Sequence, residues 1–204
     1  MTQTTGLRER KKQKTREAIQ REALRLFKEQ GYSATTIEQI AAAAEISPST
    51  FFNYFPTKED VVLYDNYDPI LISQLAASPP GEPLSASFRR ALDGLGAVME
   101  RDRETILARA RLWVETPELR TRIWEELEKA RDLLTALMAA HSGRGSDDFE
   151  LRVIAMTLVA ATFEASLEWL RQDGRGSMVD HVHRALDAID GFDRLDSIRP
   201  AKGG

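Results

Sequence analysis

Residues 35–60, TTIEQIAAAAEISPSTFFNYFPTKED, carry three signals for the start of a helix. The pair Thr35-Thr36 stands three residues before the pair Glu38-Gln39, which is the spacing of a capping box. Ser47 is a capping residue followed directly by Pro48, and proline is favoured at the first helical position. Thr57 precedes a Lys-Glu-Asp run, and acidic side chains stabilise the opening turn of a helix. The stretch therefore predicts three closely spaced helices.

The first two of these helices are short, and only about two residues, Glu45 and Ile46, separate them. Two short helices joined by a tight turn form a helix-turn-helix, whose second helix can enter the major groove of DNA. An apolar stripe that ends at Gly31 predicts a further helix, at about residues 9–30, packed on the pair. Residues 1–8 are expected to be unstructured. The predicted core of this three-helix unit consists of Ile37, Ile40, Ala41, Ala44, Ile46, Phe51 and Phe55.

The same stretch resembles the helix-turn-helix of the tetracycline-repressor (TetR) family of bacterial transcription regulators. The matching residues follow one another in order and without gaps: Thr36, Ile40, Ala41, Ala44, Ile46, Ser47, Thr50, Phe51, Tyr54, Phe55, Lys58 and Glu59. The resemblance covers the first quarter of the chain. It implies an all-α protein with a helix-turn-helix DNA-binding domain at residues 1–56 and a helical ligand-binding and dimerisation domain at residues 57–204.

Composition places the chain among soluble globular proteins, with 42% hydrophobic and 29% charged residues in a length of 204. The absence of cysteine excludes disulfides, thiolate catalysis and cysteine-zinc sites. The longest charge-free apolar stretch, residues 153–163, is too short for a bilayer, and the N-terminal region lacks the apolar core of a signal peptide. We therefore expect a cytoplasmic protein with no membrane partner.

The distribution of charge matters more than the net charge of −4. Residues 1–16 contain six basic side chains and one acidic side chain, whereas the chain beyond residue 60 is net acidic. A basic end on an acidic body is typical of a protein that contacts phosphates with one end only. A solvated charged tail is the alternative interpretation.

The rest of the chain predicts more helices and no strand, since no segment alternates with a period of two. They are expected at about residues 84–101, 103–115, 117–140, 147–172 and 177–192. The helix that begins at Thr57 should kink or break near Asp68, because Pro69 lacks a backbone N–H and disfavours helical geometry before it. Residues 78–83 are predicted to form a loop.

The segment 147–172 is apolar on more than one face, so more than one side of it must be buried. Its own subunit can cover only part of this surface. A second copy can cover the rest by pairing this helix and the helix at 177–192 with their symmetry mates in a four-helix bundle. The alternative is a central core helix in a monomer. The predicted dimer interface consists of Met156, Val159, Phe163, Leu167, Leu170, Val182 and Leu186.

The start of the second short helix holds the candidates for reading bases, which are Ser47, Pro48, Ser49, Thr50 and Asn53. Thr36 stands at a helix N-terminus, a favourable place for a phosphate. The resemblance implies phosphate contacts for Tyr54 and Lys58, and Lys11, Lys12 and Lys14 are expected to add backbone or minor-groove contacts. For Ser49 and Asn53 the alternative is plain solvent exposure.

Two residues depart from the family pattern. Glu45 stands where the turn usually has a glycine, so a residue with a side chain must adopt the turn conformation. Phe52 stands where many members have a tyrosine whose hydroxyl meets a phosphate. Phe52 cannot make that bond, and the role is not transferred to it.

The resemblance implies a repressor that a small molecule releases from a palindromic operator. Residues 108–129, ARARLWVETPELRTRIWEELEK, resemble the subgroup typified by the mycofactocin-cluster repressor, which indicates a long acyl or acyl-CoA effector. The candidate ligand-binding residues are Phe88, Leu92, Met99, Arg109, Trp113, Trp124, Met156 and Glu164, for which ordinary core packing or surface ion pairing is the alternative. The Asp68-Pro69 break is the candidate joint between the two domains.

The predicted partners are therefore a double-stranded DNA operator, a second copy of the chain and an unidentified small-molecule effector. No catalytic residue, cofactor or metal site is predicted. His181 and His183, two positions apart, lie on different faces of a helix and are expected to be exposed or at an interface. Two rival interpretations stay open. One is an all-helical dimeric scaffold without DNA binding, which Glu45 and Phe52 favour, and the other is a small helical enzyme.

Overall fold

The computed structural model describes residues 3–64, 67–79 and 82–190, and within these ranges the protein has ten α-helices and no strand. The all-α prediction is confirmed. The helices are α1 (Gln3–Gln30), α2 (Ile37–Ala43), α3 (Pro48–Phe52), α4 (Lys58–Leu63), α5 (Tyr67–Ala76), α6 (Leu84–Arg101), α7 (Arg103–Glu115), α8 (Pro117–Ser142), α9 (Phe149–Arg171) and α10 (Met178–Asp190).

The first helix is longer than its apolar stripe. It begins at Gln3, so the prediction of unstructured residues was wrong for residues 3–8. The added residues include the weak helix formers Thr4, Thr5 and Gly6, and the helix there extends the Lys-, Arg-, Gln- and Glu-rich residues 8–14, which favour helix even where no apolar face is buried. Residues 1 and 2, and residues 191 and 192 of the predicted last helix, lie outside the described residues.

The break after α4 comes before the position that the proline predicted. Helix α4 ends at Leu63, and its C-cap Tyr64 has an extended backbone (φ −64°, ψ 128°). Helix α5 begins at Tyr67, so Asp68 and Pro69 lie in its first turn. A proline is tolerated there because the first N–H groups of a helix have no intrahelical partner. The helix predicted from Thr57 thus ends at Leu63, a few residues before the break predicted near Asp68, and Pro69 itself lies within a helix.

The chain divides into two compact units. Unit 1 contains residues 1–65 and 104–123, and unit 2 contains residues 66–103 and 124–204. These units do not coincide with the domains predicted at 1–56 and 57–204. Helix α4 and the segment 104–123 belong to unit 1, because they share its core.

In unit 1, α1 packs on α2 and α4, and α2 packs on α3. The core is built around Ile19, Ala23 and Phe27 of α1, all buried. All seven core residues predicted from the sequence belong to this cluster: Ile40, Ala41, Phe51 and Phe55 are buried, and Ile37, Ala44 and Ile46 pack against it. That prediction is confirmed.

In unit 2, α10 packs on α9 and on α6, and α6 packs on α5. Trp169 of α9 is 2% exposed, and its Nε1 donates a hydrogen bond to the carbonyl oxygen of Gly176 at 3.2 Å. Helix α9 as a whole is long and apolar enough to cross a bilayer by length and composition, a possibility that the shorter segment 153–163 did not suggest. Such a helix is only a weak indication of a membrane span. Within the chain, 22% of its most apolar window is buried, and the other apolar side chains of the helix are half-buried or exposed.

Candidate DNA-binding surface and ligand cavity

The turn between α2 and α3 is a Schellman motif centred on a left-handed residue. The N–H of Ile46 donates to the carbonyl oxygen of Ala41 at 2.9 Å, and the N–H of Glu45 donates to that of Ala42 at 3.1 Å. Glu45 has a φ of 56°. This confirms that a residue with a side chain takes the conformation for which glycine is favoured, at a cost of about 1 kcal/mol.

A cluster of hydroxyl groups marks the start of α3. The Oγ of Ser47 accepts a hydrogen bond from the N–H of Thr50 at 3.1 Å, and Pro48 is the first helical residue. The same Oγ lies 2.8 Å from the Oγ of Ser49 and 2.8 Å from the Oγ1 of Thr50. Ser47, Pro48 and Ser49 are exposed, and Thr50 is half-buried. The cluster presents donors and acceptors at fixed positions, which suits base edges and phosphates.

The outward face of α3 continues with an aromatic ring and an amide. Phe52 is 52% exposed, and its ring meets that of Phe51 edge-on with 5.7 Å between centroids. Asn53 is the C-cap of the helix and is exposed. Amides can bond bidentately to adenine, and an exposed phenyl ring can contact the methyl group of thymine. The face therefore offers polar and apolar groups for base recognition.

Thr36 uses most of its polar groups inside the protein. Its Oγ1 accepts from the N–H of Gln39 at 3.2 Å, and its own N–H donates to the Oε1 of Gln39 at 2.9 Å. Gln30 holds the same Oε1 through its Nε2 at 2.8 Å. The capping box is thus formed by Thr36 and Gln39, as one of the two predicted pairings. A phosphate contact at exposed Thr36 would have to use the hydroxyl proton rather than the backbone N–H.

Lys58 has a structural task in addition to its predicted phosphate contact. Its Nζ donates to the carbonyl oxygens of Tyr32 at 3.1 Å and Thr35 at 3.4 Å. The ammonium also lies 4.3 Å from the centre of the Tyr32 ring, within cation–π distance. Lys58 therefore ties the start of α4 to the loop between α1 and α2.

Tyr54 is half-buried beside a cation that the sequence reasoning missed. The guanidinium carbon of Arg16 lies 6.0 Å from the centre of the Tyr54 ring and 5.5 Å from that of Tyr64. The Nε of Arg16 is buried without a hydrogen-bond partner. The spacing of Arg16 from Ile19, three residues, was the available signal that it shares the inward face of α1. Lys11, Lys12 and Lys14 are exposed on the same helix and keep their charge at the surface.

Helix α4 is held at both ends by arginines from the segment 104–123. At its start, Arg122 Nη1 donates to Asp60 Oδ1 at 2.9 Å. At its end, Arg109 donates from Nε to the carbonyl oxygen of Val62 at 2.7 Å and from Nη2 to that of Leu63 at 3.0 Å. The last carbonyls of a helix lack intrahelical partners and carry partial negative charge, which a cation stabilises.

Unit 2 contains a cavity of about 730 Å³ among α5, α6, α8, α9 and α10. Two thirds of its lining residues are apolar, among them Phe88, Leu134, Met138, Ile154, Leu158 and Leu186. The polar lining residues are Ser78, Ser85, Ser87, Arg89, His141 and Thr157. A mostly apolar cavity of this size with a few polar groups is typical of a small-molecule site.

Among the candidate ligand-binding residues, Phe88 lines this cavity. Arg109 and Trp113 belong to unit 1, where Arg109 is engaged at the end of α4 and Trp113 packs against the core. Leu92 is buried within unit 2, and Met99 and Met156 are half-buried. Trp124 is 60% exposed, and Glu164 forms an ion pair with Arg171 at 3.2 Å. These seven do not line the cavity, because helical spacing alone cannot tell which apolar face borders a void.

The predicted dimer interface falls into two groups. Val159, Val182 and Leu186 are buried within their own chain at 7%, 2% and 5% exposure. Met156, Phe163, Leu167 and Leu170 are half-buried. The exposed apolar surface of α9 lies instead at Phe149, Val153 and Ile154, which are 77%, 48% and 46% exposed.

The two neighbouring histidines have partners within unit 2. His181 is 8% exposed, so of its two expected positions solvent exposure is wrong and an interface stays a prediction; its Nδ1 is 2.9 Å from the carbonyl oxygen of Ser177. His183 Nε2 lies 2.7 Å from Asp93 Oδ1. No group of three potential metal ligands occurs among the residues that the structure describes.

Family models of known proteins match both parts of the chain. Residues 19–64 match the model described as bacterial regulatory proteins of the tetR family, and residues 82–192 match the MftR C-terminal domain. The chain belongs to the TetR family. It is therefore a DNA-binding transcription regulator, and the helix-turn-helix resemblance is confirmed.

Two TetR-family relatives are similar over most of their length. The HTH-type transcriptional regulator TcmR of Streptomyces glaucescens is 38% identical over 205 residues, covering 96% of this chain and 87% of the relative. MftR of Mycobacterium tuberculosis, named for the regulation of mycofactocin biosynthesis, is 26% identical and covers 85% of this chain and 89% of its own.

A solved TetR-family structure extends the comparison to a ligand complex. Thermus thermophilus FadR, a transcriptional repressor crystallised with lauroyl-CoA, shares 27% sequence identity with this chain at a TM-score of 0.54. The match covers 93% of this chain and all of the FadR chain. The similarity supports the shared fold along nearly the whole sequence.

Proposed function

We propose that this TetR-family regulator is a repressor that binds a near-palindromic operator as a homodimer and leaves it when a small apolar or acyl-type effector fills the cavity of unit 2. The observation that carries the proposal is the exposed surface at α3, where Ser47 caps the start of the helix, Ser49 lies in its first turn and Asn53 caps its end. Base edges in the major groove supply the matching donors and acceptors.

The dimer and the palindrome follow from size and burial. A single helix-turn-helix reads few base pairs, so two copies bind half-sites about one helical turn, roughly 34–36 Å, apart or a multiple of it. The uncovered apolar surface of α9 supports a second copy as its cover, since contiguous exposed apolar patches on soluble proteins mark interaction sites. The half-buried Met156 is the predicted interface residue nearest in sequence to that surface.

Residues 1–56 form the DNA-binding domain, and residues 57–204 form the domain that binds the effector and the second copy. The protein works in the cytoplasm, where its operator DNA is. The release mechanism requires an effector that binds two states of the protein with different affinity, and a coupling of about 1–3 kcal/mol suffices. Helix α8 supports such coupling, because its early residue Arg122 bonds to α4 and its later residues Leu134 and Met138 line the cavity. The Asp68-Pro69 segment, at the start of α5, is the proposed joint.

The effector class draws support from two sources. The cavity lining is mostly apolar, and a relative of 27% identity holds lauroyl-CoA in its crystal structure. Both favour a ligand with an extended apolar portion.

Fluorescence anisotropy on a labelled fragment of the region upstream of the gene tests the DNA-binding part. We expect specific binding that weakens steeply with salt, since phosphate contacts release counterions. Asn53→Ala should weaken binding to the specific fragment about tenfold while leaving binding to random DNA unchanged. Thr121→Ala, which removes an exposed hydroxyl group from α8 in unit 1, is the matched control. Binding to the specific fragment that equals binding to random DNA would contradict the proposal.

The same assay separates the rival functions. A dimeric scaffold without DNA binding, the alternative that Glu45 and Phe52 favour, would show no salt-dependent binding to any DNA fragment. The enzyme alternative has little support, because the family relatives are transcription regulators rather than enzymes.

A further inference from the structure

The cavity of unit 2 presents hydroxyl groups that are already bonded within the chain. Ser87 Oγ donates to Glu82 Oε2 at 2.6 Å, Ser78 Oγ accepts from Arg90 Nη2 at 2.7 Å, and Thr157 Oγ1 donates to the carbonyl oxygen of Val153 at 2.8 Å. These three side chains therefore offer a ligand less hydrogen bonding than their number indicates. Their bonds leave the wall mainly apolar.

Among the described residues of the lining, the one arginine is paired with a carboxylate. Arg89 Nη2 lies 2.8 Å from Asp187 Oδ1, and its Nη1 lies 3.5 Å from His183 Nδ1. An anionic ligand that approaches Arg89 must compete with Asp187 for the guanidinium. The pair reduces the attraction of this wall for negative charge.

The N-terminal turns of α6, where a helix attracts anions, already have a carboxylate beside them. Glu82 accepts from Ser87 at 2.6 Å and pairs with Arg90 at 3.2 Å. The hydrogen bonds from Ser87 and Arg90 lower the pKa of Glu82 below its ordinary value, so this carboxylate is ionised at neutral pH. His141 of the lining is close enough to Glu82 to contribute to the same lowering.

The described charges along this rim thus balance: Arg89 faces Asp187 and Arg90 faces Glu82. Asp93, beside His183, adds a further carboxylate near Arg89. A phosphate-rich headgroup would lose hydration at a rim with no excess of positive charge, which is unfavourable. We infer that the cavity selects an uncharged, extended apolar ligand over an acyl-CoA thioester. This inference rests on the proposed function only in that the cavity is the effector site.

Two fluorescent probes with the same ring system test the inference on the full-length protein. N-phenyl-1-naphthylamine is uncharged, and 1-anilinonaphthalene-8-sulfonate carries one sulfonate. We expect the uncharged probe to bind more tightly than the sulfonate. The dissociation constant of the sulfonate divided by that of the uncharged probe should fall at least fivefold in Glu82→Gln and in Asp187→Asn. Glu126→Gln, which removes a carboxylate paired with Lys129 outside the lining, is the control and should leave the ratio unchanged. An unchanged ratio in both cavity variants would overturn the inference.

A cavity-filling variant assigns the probe signal to this site. Leu137→Trp adds volume to a lining residue, so binding of both probes should fall at least tenfold. Undiminished binding would show that the probes sit elsewhere and would overturn the inference. The Asp187 side chain is 67% exposed, so Asp187→Asn should fold normally. This variant therefore still tests the inference if another variant fails to fold.

Competition decides between the ligand classes directly. With the uncharged probe bound, 1-dodecanol should displace it at a lower concentration than lauroyl-CoA, and the reverse order would overturn the inference. Operator binding without ligand is measured on the same preparation. Loss of operator binding would count against the proposed function alone. The order of displacement tests only the preference of the cavity for an uncharged ligand.

Discussion

The buried guanidinium of Arg109 donates a hydrogen bond from Nε to the carbonyl oxygen of Val62 at 2.7 Å, and so caps the end of α4. A second bond, from Nη2 to the carbonyl oxygen of Leu63, measures 3.0 Å. Gln20 of α1 completes the arrangement with bonds of 2.8 Å to the carbonyl oxygens of Val61 and Tyr64. The end of α4, a helix of six residues, is therefore fixed by side chains from two other helices.

Arg109→Met should lower the free energy of unfolding by about 2–4 kcal/mol, because charged donors are lost while the buried carbonyls remain. Urea denaturation followed by circular dichroism measures this. Arg120→Met, at an exposed position of α8 in unit 1, should change stability by about 0.5 kcal/mol or less. Equal stability of the two variants would refute the capping role.

Glu45→Gly should raise the free energy of unfolding by about 0.5–1 kcal/mol, because glycine adopts the φ of 56° without the steric cost of a Cβ atom. Glu45→Ala removes the same charge and keeps the Cβ atom, so it should give no such gain. Thermal denaturation at low and high salt separates backbone strain from charge. A gain of the same size in the alanine variant would mean that charge, not φ, is the cause.

Ser47 and Ser49 should differ in what their hydroxyls do. Ser47→Ala removes the cap of α3 and should cost about 1 kcal/mol of stability. Ser49→Ala should leave stability nearly unchanged and weaken specific operator binding. Denaturation and anisotropy on the same two variants make the comparison. The assignment fails if Ser49→Ala is the variant that unfolds more easily.

The stability of unit 1 should depend on pH through Glu59, whose Oε1 accepts a bond from the Tyr32 hydroxyl at 2.7 Å. Burial raises the pKa of Glu59, but this bond and those from its own backbone N–H and Thr57 bring the pKa below its ordinary 4.5. A carboxyl with a lowered folded-state pKa stabilises the fold above its unfolded pKa, and this stabilisation is lost as pH falls through the folded pKa.

Tyr32→Phe should therefore reduce the free energy of unfolding by about 1 kcal/mol near neutral pH, and the deficit should shrink at about pH 3. Urea denaturation at both pH values provides the measurement. Tyr64→Phe, whose lost hydroxyl donates to the uncharged Gln13 Oε1 at 2.8 Å, is the control for loss of a phenol hydroxyl. A deficit that is constant with pH would rule out coupling to Glu59.

A charge on the exposed surface of α9 should separate the proposed dimer. Ala160 is exposed on this helix, and Ala160→Arg would bury a cation if a second copy packs there. Analytical ultracentrifugation should show a shift from dimer to monomer, together with weaker operator binding. Ala97→Arg, at an exposed alanine of α6, is the control. A dimer that survives Ala160→Arg would place the interface elsewhere.

Local signals predicted the helix-turn-helix well. The caps at Thr36, Ser47 and Thr57 accept their expected backbone hydrogen bonds, and Glu45 takes its left-handed turn. Each of these features involves residues within a few positions of one another. Capping and turn geometry are decided at that range, so a single sequence suffices.

The ligand cavity was far less accessible from sequence. Phe88 was among the candidates, whereas Arg89, His141 and Ile154 were not, although all four line the void. Helical periodicity indicates which side of a helix is apolar. It does not indicate whether that side meets another helix or borders empty space, because this depends on packing among five helices.

The sequence by itself determined the all-α fold, the three capped helices α2, α3 and α4 and the core that holds them, because these depend on short spacings and on local backbone chemistry. Only the tertiary structure decided that Arg109 caps α4 and that Lys58 ties α4 to the loop after α1. Arg109 and Val62 are 47 positions apart along the chain. Contacts at that separation depend on how whole helices pack, and no local pattern records them.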